Sequence, residues 1–294
     1  MPVGYIPPDK DVATIHEGTE HLAFNDTPTN RALTLLALKT VARFHPRYGV
    51  CVPISKNKIV KSGPRVHLTE AATMRFVAQN TSLPIPKVYC AFVRKNYAYI
   101  VMEKIQGEVI PKAWKSLSEE ARRNILSQLK KMIQELRALR PAEGTGVESC
   151  VGNSLYDWRV PRAFPRFGPF KTIQDFHQWL RQDLQPTDSS DYTCSDQEWQ
   201  DIRDMVNRQD GPWPPPVFTH GDLNPFNILV RGDKVVGIID WEFSGWYPSY
   251  WEYTSAWYTN ITKRSWQNDI DKFIDPFPED LHMESIRHKW WGAW

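Results

Sequence analysis

Residues 217–242 read VFTHGDLNPFNILVRGDKVVGIIDWE, and this stretch decides the fold. Its two apolar runs, 228–230 and 235–239, flank a short polar segment with Gly-Asp at its centre. Apolar runs around such a pair predict an antiparallel β-hairpin with a two-residue turn, in which Arg231 pairs with Lys234.

The open end of this hairpin gathers side chains that carry oxygen atoms. Counting back from the turn, Asn227 lies opposite Ile238, whose side chain shares a sheet face with that of Asp240. Asn227 and Asp240 are therefore expected to converge, with Asp222 in the loop just before them. Their oxygens are ligands that Mg²⁺ takes alongside phosphates and water. Phosphoryl transfer needs such ligands and a carboxylate that meets the attacking hydroxyl.

Lys61 is the candidate for the cation that the nucleotide phosphates require, and Glu70 is the candidate carboxylate that holds it in place. Short apolar runs predict four strands, at 50–54, 58–61, 89–93 and 97–102. Apolar residues at helical spacing predict helices at 31–44 and 67–79. Lys61 ends the second strand and Glu70 lies in the first turns of the second helix, where its carboxylate is placed to hold the ammonium of Lys61.

The second half of the chain has a mainly helical pattern, with helices predicted at 117–139, 173–181 and 196–208. Ser116 and Glu119 fit a capping box at the start of the first of these helices. The Gly- and Pro-rich residues 141–170 predict a long irregular connection that could shape a site. The predicted fold class is α+β, with a small mixed β-sheet lobe at 1–106 and a larger, mainly helical lobe at 107–294.

Composition excludes several functional classes. In 294 residues, 36 Lys and Arg nearly balance 34 Asp and Glu, so neither nucleic acid nor an anionic membrane is an expected partner. The four cysteines are far apart, which argues against a zinc site or a disulfide framework. No run approaches the ~20 apolar residues of a membrane span, and the N-terminus lacks the apolar core of a signal peptide. A cytoplasmic protein is therefore expected.

These motifs resemble the aminoglycoside phosphotransferase family, which shares the protein-kinase fold, and especially its fungal branch. His220-Gly221-Asp222, with Asn227 five residues after the aspartate, resembles the catalytic loop of the family, and IDWE at 239–242 resembles its metal-binding segment. Lys61 and Glu70 match its phosphate-binding lysine and supporting glutamate. LPIPKV at 83–88, GPF at 168–170, GWYP at 245–248 and YWE at 250–252 are similar to the fungal branch.

The resemblance implies a two-lobed, protein-kinase-like fold that uses ATP and Mg²⁺ to phosphorylate a hydroxyl of a small molecule. It implies that Asp222 is the catalytic carboxylate and that Asn227 and Asp240 ligate Mg²⁺.

The residues expected to bind the nucleotide match the pattern of the family only in part. By the resemblance, the backbone of Glu103, Lys104 and Ile105 is expected to receive the adenine. No Gly-x-Gly-x-x-Gly precedes Lys61, so the phosphate lid is curtailed or replaced. After Asp240, no Ala-Pro-Glu closes an activation loop, which argues against protein-kinase activity.

Several alternatives stay open at this point. The missing glycine-rich loop leaves a non-catalytic scaffold with a kinase fold as the chief rival. In a third interpretation, the enzyme transfers the phosphate to a carboxylate or an amine.

Cationic and aromatic compounds are among the candidate acceptors. The aromatic residues between 241 and 258 could form the wall of a pocket, although core packing is their default role. Glu252 is the candidate acid for a cationic acceptor, with a surface position as its default. His220 is expected to hold the loop by hydrogen bonds.

Overall fold

The computed structural model describes residues 14–160, 165–185, 195–259 and 264–292. The strands are β1 (Cys51–Pro53), β2 (Lys58–Gly63), β3 (Val88–Val93), β4 (Ala98–Glu103), β5 (Glu108–Val109), β6 (Val217–Thr219), β7 (Ile228–Arg231), β8 (Lys234–Ile238) and β9 (Gly245–Tyr247). The helices are α1 (Pro28–Lys39), α2 (Leu68–Asn80), α3 (Ile110–Ala113), α4 (Glu119–Arg137), α5 (Ile173–Leu180), α6 (Asp196–Asp210), α7 (Trp251–Thr259), α8 (Arg264–Ile270) and α9 (Pro278–Trp291).

The N-terminal sheet has the strand order β1-β2-β4-β3, and every pairing in it is antiparallel. Its strands lie where the apolar runs predict them, so the small mixed sheet that was predicted is an antiparallel one. β2 runs two residues past Lys61, because Ser62 and Gly63 still pair with Tyr99 and Ala98. Lys61 therefore lies inside its strand and not at the end of it.

Helix α2 packs on one face of this sheet, and its buried residues Leu68, Met74 and Val77 share a core with Ile100 of β4. This confirms the helix predicted at 67–79. The helix predicted at 31–44 is interrupted instead. Thr40 has φ −113° and ψ −80°, outside the helical range, and a 3₁₀ turn follows at Val41–Phe44.

The hairpin of β7 and β8 confirms the predicted two-residue turn and its closing pair. A β-bulge at Val236 then shifts the pairing by one residue. Asn227 therefore faces Ile239, whose backbone N–H donates to the Asn227 carbonyl at 2.9 Å. The prediction that Asn227 lies opposite Ile238 is wrong, because the apolar pattern does not reveal the extra residue.

Helices α4 to α9 form the larger, helical part of the molecule, and the three helices predicted there are confirmed within two residues at each end. The capping box predicted at the start of α4 is wrong. Ser118 caps this helix by accepting the N–H of Ala121 at 3.2 Å, while the hydroxyl of Ser116 donates to the carbonyl of Ala113.

The predicted connection is irregular at residues 141–160 and 165–170, and it runs through the helical part of the molecule. Isolated bridges join Val147 to Phe170 and Glu148 to Trp246 of β9. The aromatic residues around β9 and α7 confirm the core-packing interpretation, with four of them at most 3% exposed: Trp241, Tyr247, Tyr250 and Trp251. Among the described segments, no helix has the length and apolarity that crossing a membrane requires. The three cysteines they contain, Cys51, Cys90 and Cys150, are free thiols.

Candidate active site

The loop between β6 and β7 carries Asp222 and Asn227 and brings them into contact. The Nδ2 of Asn227 donates to Asp222 twice, to the carboxylate Oδ2 at 2.8 Å and to the main-chain carbonyl at 2.9 Å. The Nδ2 of Asn224 donates to the same Oδ2 at 3.0 Å. Because the amide nitrogen of Asn227 faces Asp222, its amide oxygen points elsewhere and can act as a ligand.

The backbone of this loop is held by His220. Its Nε2 donates to the carbonyl of Ile239 at 3.0 Å, and its Nδ1 accepts the N–H of Asp222 at 3.1 Å. Both ring nitrogens are thus used in fixing the loop to the end of β8, as expected. Gly221 has φ +82°, and a Cβ there would lie 2.8 Å from the carbonyl oxygen of Phe243, so only glycine fits.

Asp240 follows β8 in the left-handed conformation, with φ 65° and ψ 65°. Such a backbone is uncommon for a residue with a side chain, and strain of this kind clusters at functional sites. The side chain is 40% exposed, so a ligand can reach it. Because Ile239 is bonded to Asn227 through the backbone, Asp240 lies next to the loop that carries Asp222. The three predicted oxygen-bearing residues therefore lie at the same end of the hairpin despite the shifted register, where Asn227 contacts Asp222 and Asp240 contacts Lys61.

Lys61 is 5% exposed, and three carboxylates surround its ammonium group. Its Nζ lies 2.9 Å from Glu70, 2.7 Å from Asp240 and 2.8 Å from Glu242. Burial alone would lower the pKa of Lys61, but the carboxylates outweigh it and hold this pKa well above its ordinary value. Burial raises the pKa of Glu70, which the negative charges of Asp240 and Glu242 reinforce and Lys61 opposes. The predicted Lys61–Glu70 pair is present, and Glu242 joins it as a further partner.

Glu252 in α7 is fully buried, so its predicted surface position is wrong. Its carboxylate accepts the backbone N–H of His220 at 2.6 Å and that of Gly221 at 3.1 Å. Burial raises the pKa of Glu252, and His220, Arg137 and the two N–H donors oppose this shift. Both oxygens are committed to the catalytic loop, so Glu252 holds that loop and is not an open site for a cationic acceptor.

Asp157 and Arg159, from the irregular connection, also reach the catalytic loop. The guanidinium of Arg159 makes a two-point ion pair with Asp157, at 2.6 and 2.8 Å, and donates to the carbonyl of Gly221 at 2.5 Å. Its Nη1 lies 3.4 Å from Oδ1 of Asp222. Neither residue was predicted from the sequence, because a lone Asp-x-Arg in a loop has no spacing that signals a function.

The segment expected to receive adenine lies at the end of β4. Glu103 ends this strand, and the N–H of Lys104 is already engaged, since it donates to the carbonyl of Asn57 at 3.0 Å. Ile105 packs so closely on β8 that a Cβ at Gly237 would lie 2.8 Å from its Cδ1. The segment therefore joins the N-terminal sheet to the hairpin that carries the site.

A tight turn precedes β1, in the part of the chain before Lys61 that lacks a glycine-rich loop. Tyr48 and Cys51 exchange two backbone hydrogen bonds of 2.9 Å around Gly49, whose φ is +57°. Cys51 pairs with Lys61 in the sheet, so this turn lies beside the buried ammonium. Its backbone is short and closed by its own hydrogen bonds.

The donor set fits Mg²⁺ better than a metal with an all-protein shell. Across the described ranges, no three His, Cys, Asp or Glu side chains form a ready-made metal cluster. Mg²⁺ usually keeps several waters and is bound through one or two carboxylates together with substrate phosphates. The carboxylate of Asp240 and the amide oxygen of Asn227 can provide such a partial shell.

Solved structures of kinase-like enzymes share this fold. Aminoglycoside phosphotransferase APH(3'')-Id from Streptomyces rimosus, in complex with ADP and streptomycin, has a TM-score of 0.54 at 15% identity, and the match covers 89% of this chain and 99% of that chain. Another structure of the same enzyme gives a TM-score of 0.50 at 15% identity and the same coverage. Among curated proteins, no significant match was found.

A family model described as "Phosphotransferase enzyme family" matches residues 60–279, about three quarters of the chain. The matched span includes Lys61, the catalytic loop and Asp240. This confirms the resemblance to the aminoglycoside phosphotransferases, while the assignment to the fungal branch stays a prediction. The chain belongs to the phosphotransferase enzyme family and has the kinase-like α+β fold of the aminoglycoside phosphotransferases.

Proposed function

We propose that the protein transfers the γ-phosphate of ATP to a hydroxyl group of a small molecule, with Mg²⁺ as the required ion. The observation that carries the proposal is that Asn227 contacts Asp222 at the end of the hairpin where Asp240 lies 2.7 Å from the buried ammonium of Lys61. A carboxylate for the hydroxyl, oxygen ligands and a cation are the parts that phosphoryl transfer needs.

Asp222 is the group proposed to meet the acceptor. Its carboxylate is held by Asn227 and Asn224 and lies near Arg159, so its orientation is fixed before a substrate arrives. The acceptor oxygen would form a bond to the γ-phosphorus while the bond from that phosphorus to the β-phosphate oxygen breaks. The hydroxyl proton would pass to Asp222, and ADP would leave with the electron pair of the broken bond.

The phosphates would be held from the opposite side of the site. Asn227 and Asp240 are the proposed ligands of Mg²⁺, which when bound neutralises charge on the phosphates. Lys61 is proposed to contact the phosphates, with Glu70 keeping its ammonium in place at 2.9 Å. Because no glycine-rich loop precedes Lys61, Lys61 would carry a larger share of phosphate binding.

The adenine is proposed to lie against the backbone of Glu103 and Ile105, with Lys104 between them. The backbone N–H of Lys104 already donates to the carbonyl of Asn57, so Lys104 would not donate to the base in this conformation.

The division into lobes at 1–106 and 107–294 and a cytoplasmic location also stay predictions.

A melting experiment separates this proposal from a non-catalytic scaffold. ATP with Mg²⁺ should raise the melting temperature of the wild type, because a ligand that binds only the folded state stabilises it. Asp240→Ala should lose the Mg²⁺-dependent part of the rise. Asp204→Ala on the exposed face of α6 is the matched control and should keep it. An unchanged response in Asp240→Ala would contradict the assigned ligand, and no response in the wild type would favour the scaffold.

A further inference from the structure

Charge is distributed unevenly along the chain. Residues 27–102 contain twelve Lys and Arg but a single acidic residue, Glu70. Glu70 is buried and paired with Lys61 at 2.9 Å, so it neutralises no charge at the surface of this segment. The formal net charge of the whole chain is only +2, because acidic residues outnumber basic ones in the rest of the sequence. The near balance over the whole chain therefore does not exclude an anionic partner for this segment.

Helix α1 in this segment has an apolar outer face. Its residue Thr34 is buried, and Leu38 packs against the core cluster of the sheet that contains Phe92. Leu33 and Leu36 are three residues apart, so they share one face of the helix, and they are 59% and 58% exposed. Helix α1 thus covers the sheet with one face and presents two exposed leucines on another.

More exposed apolar side chains follow α1 in the chain, and Phe44 at the end of the 3₁₀ turn is 86% exposed. Among the described residues, ten large apolar side chains are exposed, and six of them lie in this one stretch: Leu33, Leu36, Val41, Phe44, Tyr48 and Val50. Val50 lines a groove of about 340 Å³ together with Leu38 of α1 and Tyr97 before β4, so these elements border one surface. An accumulation of exposed apolar side chains marks an interaction site.

Basic side chains are interspersed among these apolar ones. Lys39, Arg43 and Arg47 are exposed, and none of them is paired with an acidic side chain in the part of the chain that the structure describes. Arg47 lines the groove, and the turn at 94–97 adds two more exposed basic residues beside it. The exposed side chains of residues 33–50 and 94–97 are called the basic apolar surface below.

A bilayer that contains anionic lipids is the partner that uses both properties of this surface. Lys and Arg are attracted to anionic headgroups, and exposed Leu and Phe can enter the boundary between headgroups and acyl chains. Tyr is typical of the same boundary. The phosphate backbone of a nucleic acid would use the positive charge alone and would leave the exposed apolar side chains without a partner.

We infer that the basic apolar surface binds the anionic surface of a membrane, with α1 lying along the headgroup layer. This reverses the expectation drawn from the balanced charge of the whole chain. The inference is independent of the proposed function, because the surface contains none of the residues assigned to the nucleotide, the metal ion or the acceptor.

The test is sedimentation of the full chain with lipid vesicles. One set of vesicles contains phosphatidylcholine alone, and the other contains about 30% phosphatidylserine as the anionic lipid. We expect binding only to the anionic vesicles, and we expect it to be lost when NaCl is raised from about 0.1 to 1 M, because salt screens the attraction. No binding to the anionic vesicles, or equal binding to both sets, would overturn the inference.

Paired charge reversals locate the binding surface. Arg43→Glu combined with Arg47→Glu should lower partitioning onto anionic vesicles about 20-fold or more. Arg123→Glu combined with Arg140→Glu reverses two exposed arginines in and just after α4, and this control should bind nearly as well as the wild type. All four positions are exposed, so both variants should keep the melting temperature of the wild type. Equal losses of binding in the two variants would contradict the assigned surface.

An apolar substitution tests whether the surface enters the bilayer. Phe44→Ser should weaken binding to anionic vesicles about fivefold or more, because it removes an apolar side chain from the boundary. Trp158→Ser, at a position that is 64% exposed and outside the surface, is the matched control and should bind normally. Full vesicle binding by Phe44→Ser, or tighter binding of the wild type to duplex DNA than to the vesicles, would overturn the membrane assignment.

Two further outcomes separate the inference from its alternatives. A stable dimer in light scattering that Phe44→Ser dissociates would assign the surface to a second copy of the chain and contradict membrane binding. Asp222→Asn should bind vesicles as the wild type does, so a failure of membrane binding and a failure of the proposed function are distinguishable.

Discussion

Glu252→Gln should destabilise the protein and slow its reaction, because the carboxylate of Glu252 holds two backbone N–H groups of the catalytic loop. The bonds are 2.6 Å to His220 and 3.1 Å to Gly221, and the side chain is fully buried. Glutamine keeps one accepting oxygen but turns an NH₂ group toward the other donor. Losing one hydrogen bond to a charged group costs about 2–3 kcal/mol. For a chain of 294 residues this corresponds to a fall in melting temperature of about 3–5 °C.

The effect on catalysis follows from the same contacts. His220 and Gly221 directly precede Asp222, so a displaced loop moves the carboxylate that is proposed to be catalytic, and kcat should fall by about tenfold or more. Calorimetry and steady-state kinetics measure the two effects. Glu120→Gln, at an exposed position in the first turn of α4, is the matched control and should change neither. If Glu252→Gln behaves like that control in both assays, the reasoning about the loop is refuted.

Three further substitutions address the other parts of the site. Lys61→Met should lower kcat/KM for ATP by about 100-fold, since it removes the buried cation; kinetics with varied ATP would contradict this if kcat/KM were unchanged. Glu242→Gln should raise the melting temperature at pH 8 and raise it less near pH 5, because Lys61 keeps Glu70 and Asp240 as partners when this third carboxylate is removed. Burial raises the pKa of Glu242 above 4.5, so the charged form of Glu242 destabilises the folded protein once the pH exceeds this raised pKa. A lower melting temperature of the variant than of the wild type at pH 8 would contradict the prediction. Arg159→Lys should lower kcat about tenfold at unchanged KM for ATP, because lysine cannot hold Asp157 and the Gly221 carbonyl together; unaltered kcat would show that Asp222 does not need this support.

Short-range patterns were sufficient to predict which residues lie together at the centre of the candidate site. Asp222, Asn227 and Asp240 lie within one loop and one hairpin, so their spacing in the chain limits how far apart they can be in space. Lys61 and Glu70 are nine residues apart on a strand and the helix that follows it, and their pairing could be predicted for the same reason. The antiparallel hairpin was also predictable from its apolar runs and Gly-Asp turn.

The parts that were missed depend on contacts between distant segments. The bulge at Val236 shifts the hairpin by one residue without changing its apolar pattern. Glu252 contacts a loop 31 and 32 residues earlier in the chain, so its burial could not be read from its neighbours in sequence. Arg159 reaches Asp222 across 63 residues from a connection without regular structure.

The most direct test of the account is ADP release from ATP and Mg²⁺ in the presence of a pool of small alcohols, with wild type and Asp222→Asn compared. Asp222→Asn keeps the size of the side chain and should keep the melting response to ATP, which serves as its folding control. The account predicts acceptor-dependent ADP release by the wild type and a loss of at least 100-fold in the variant. Equal acceptor-dependent turnover by the two proteins would contradict the central role of Asp222.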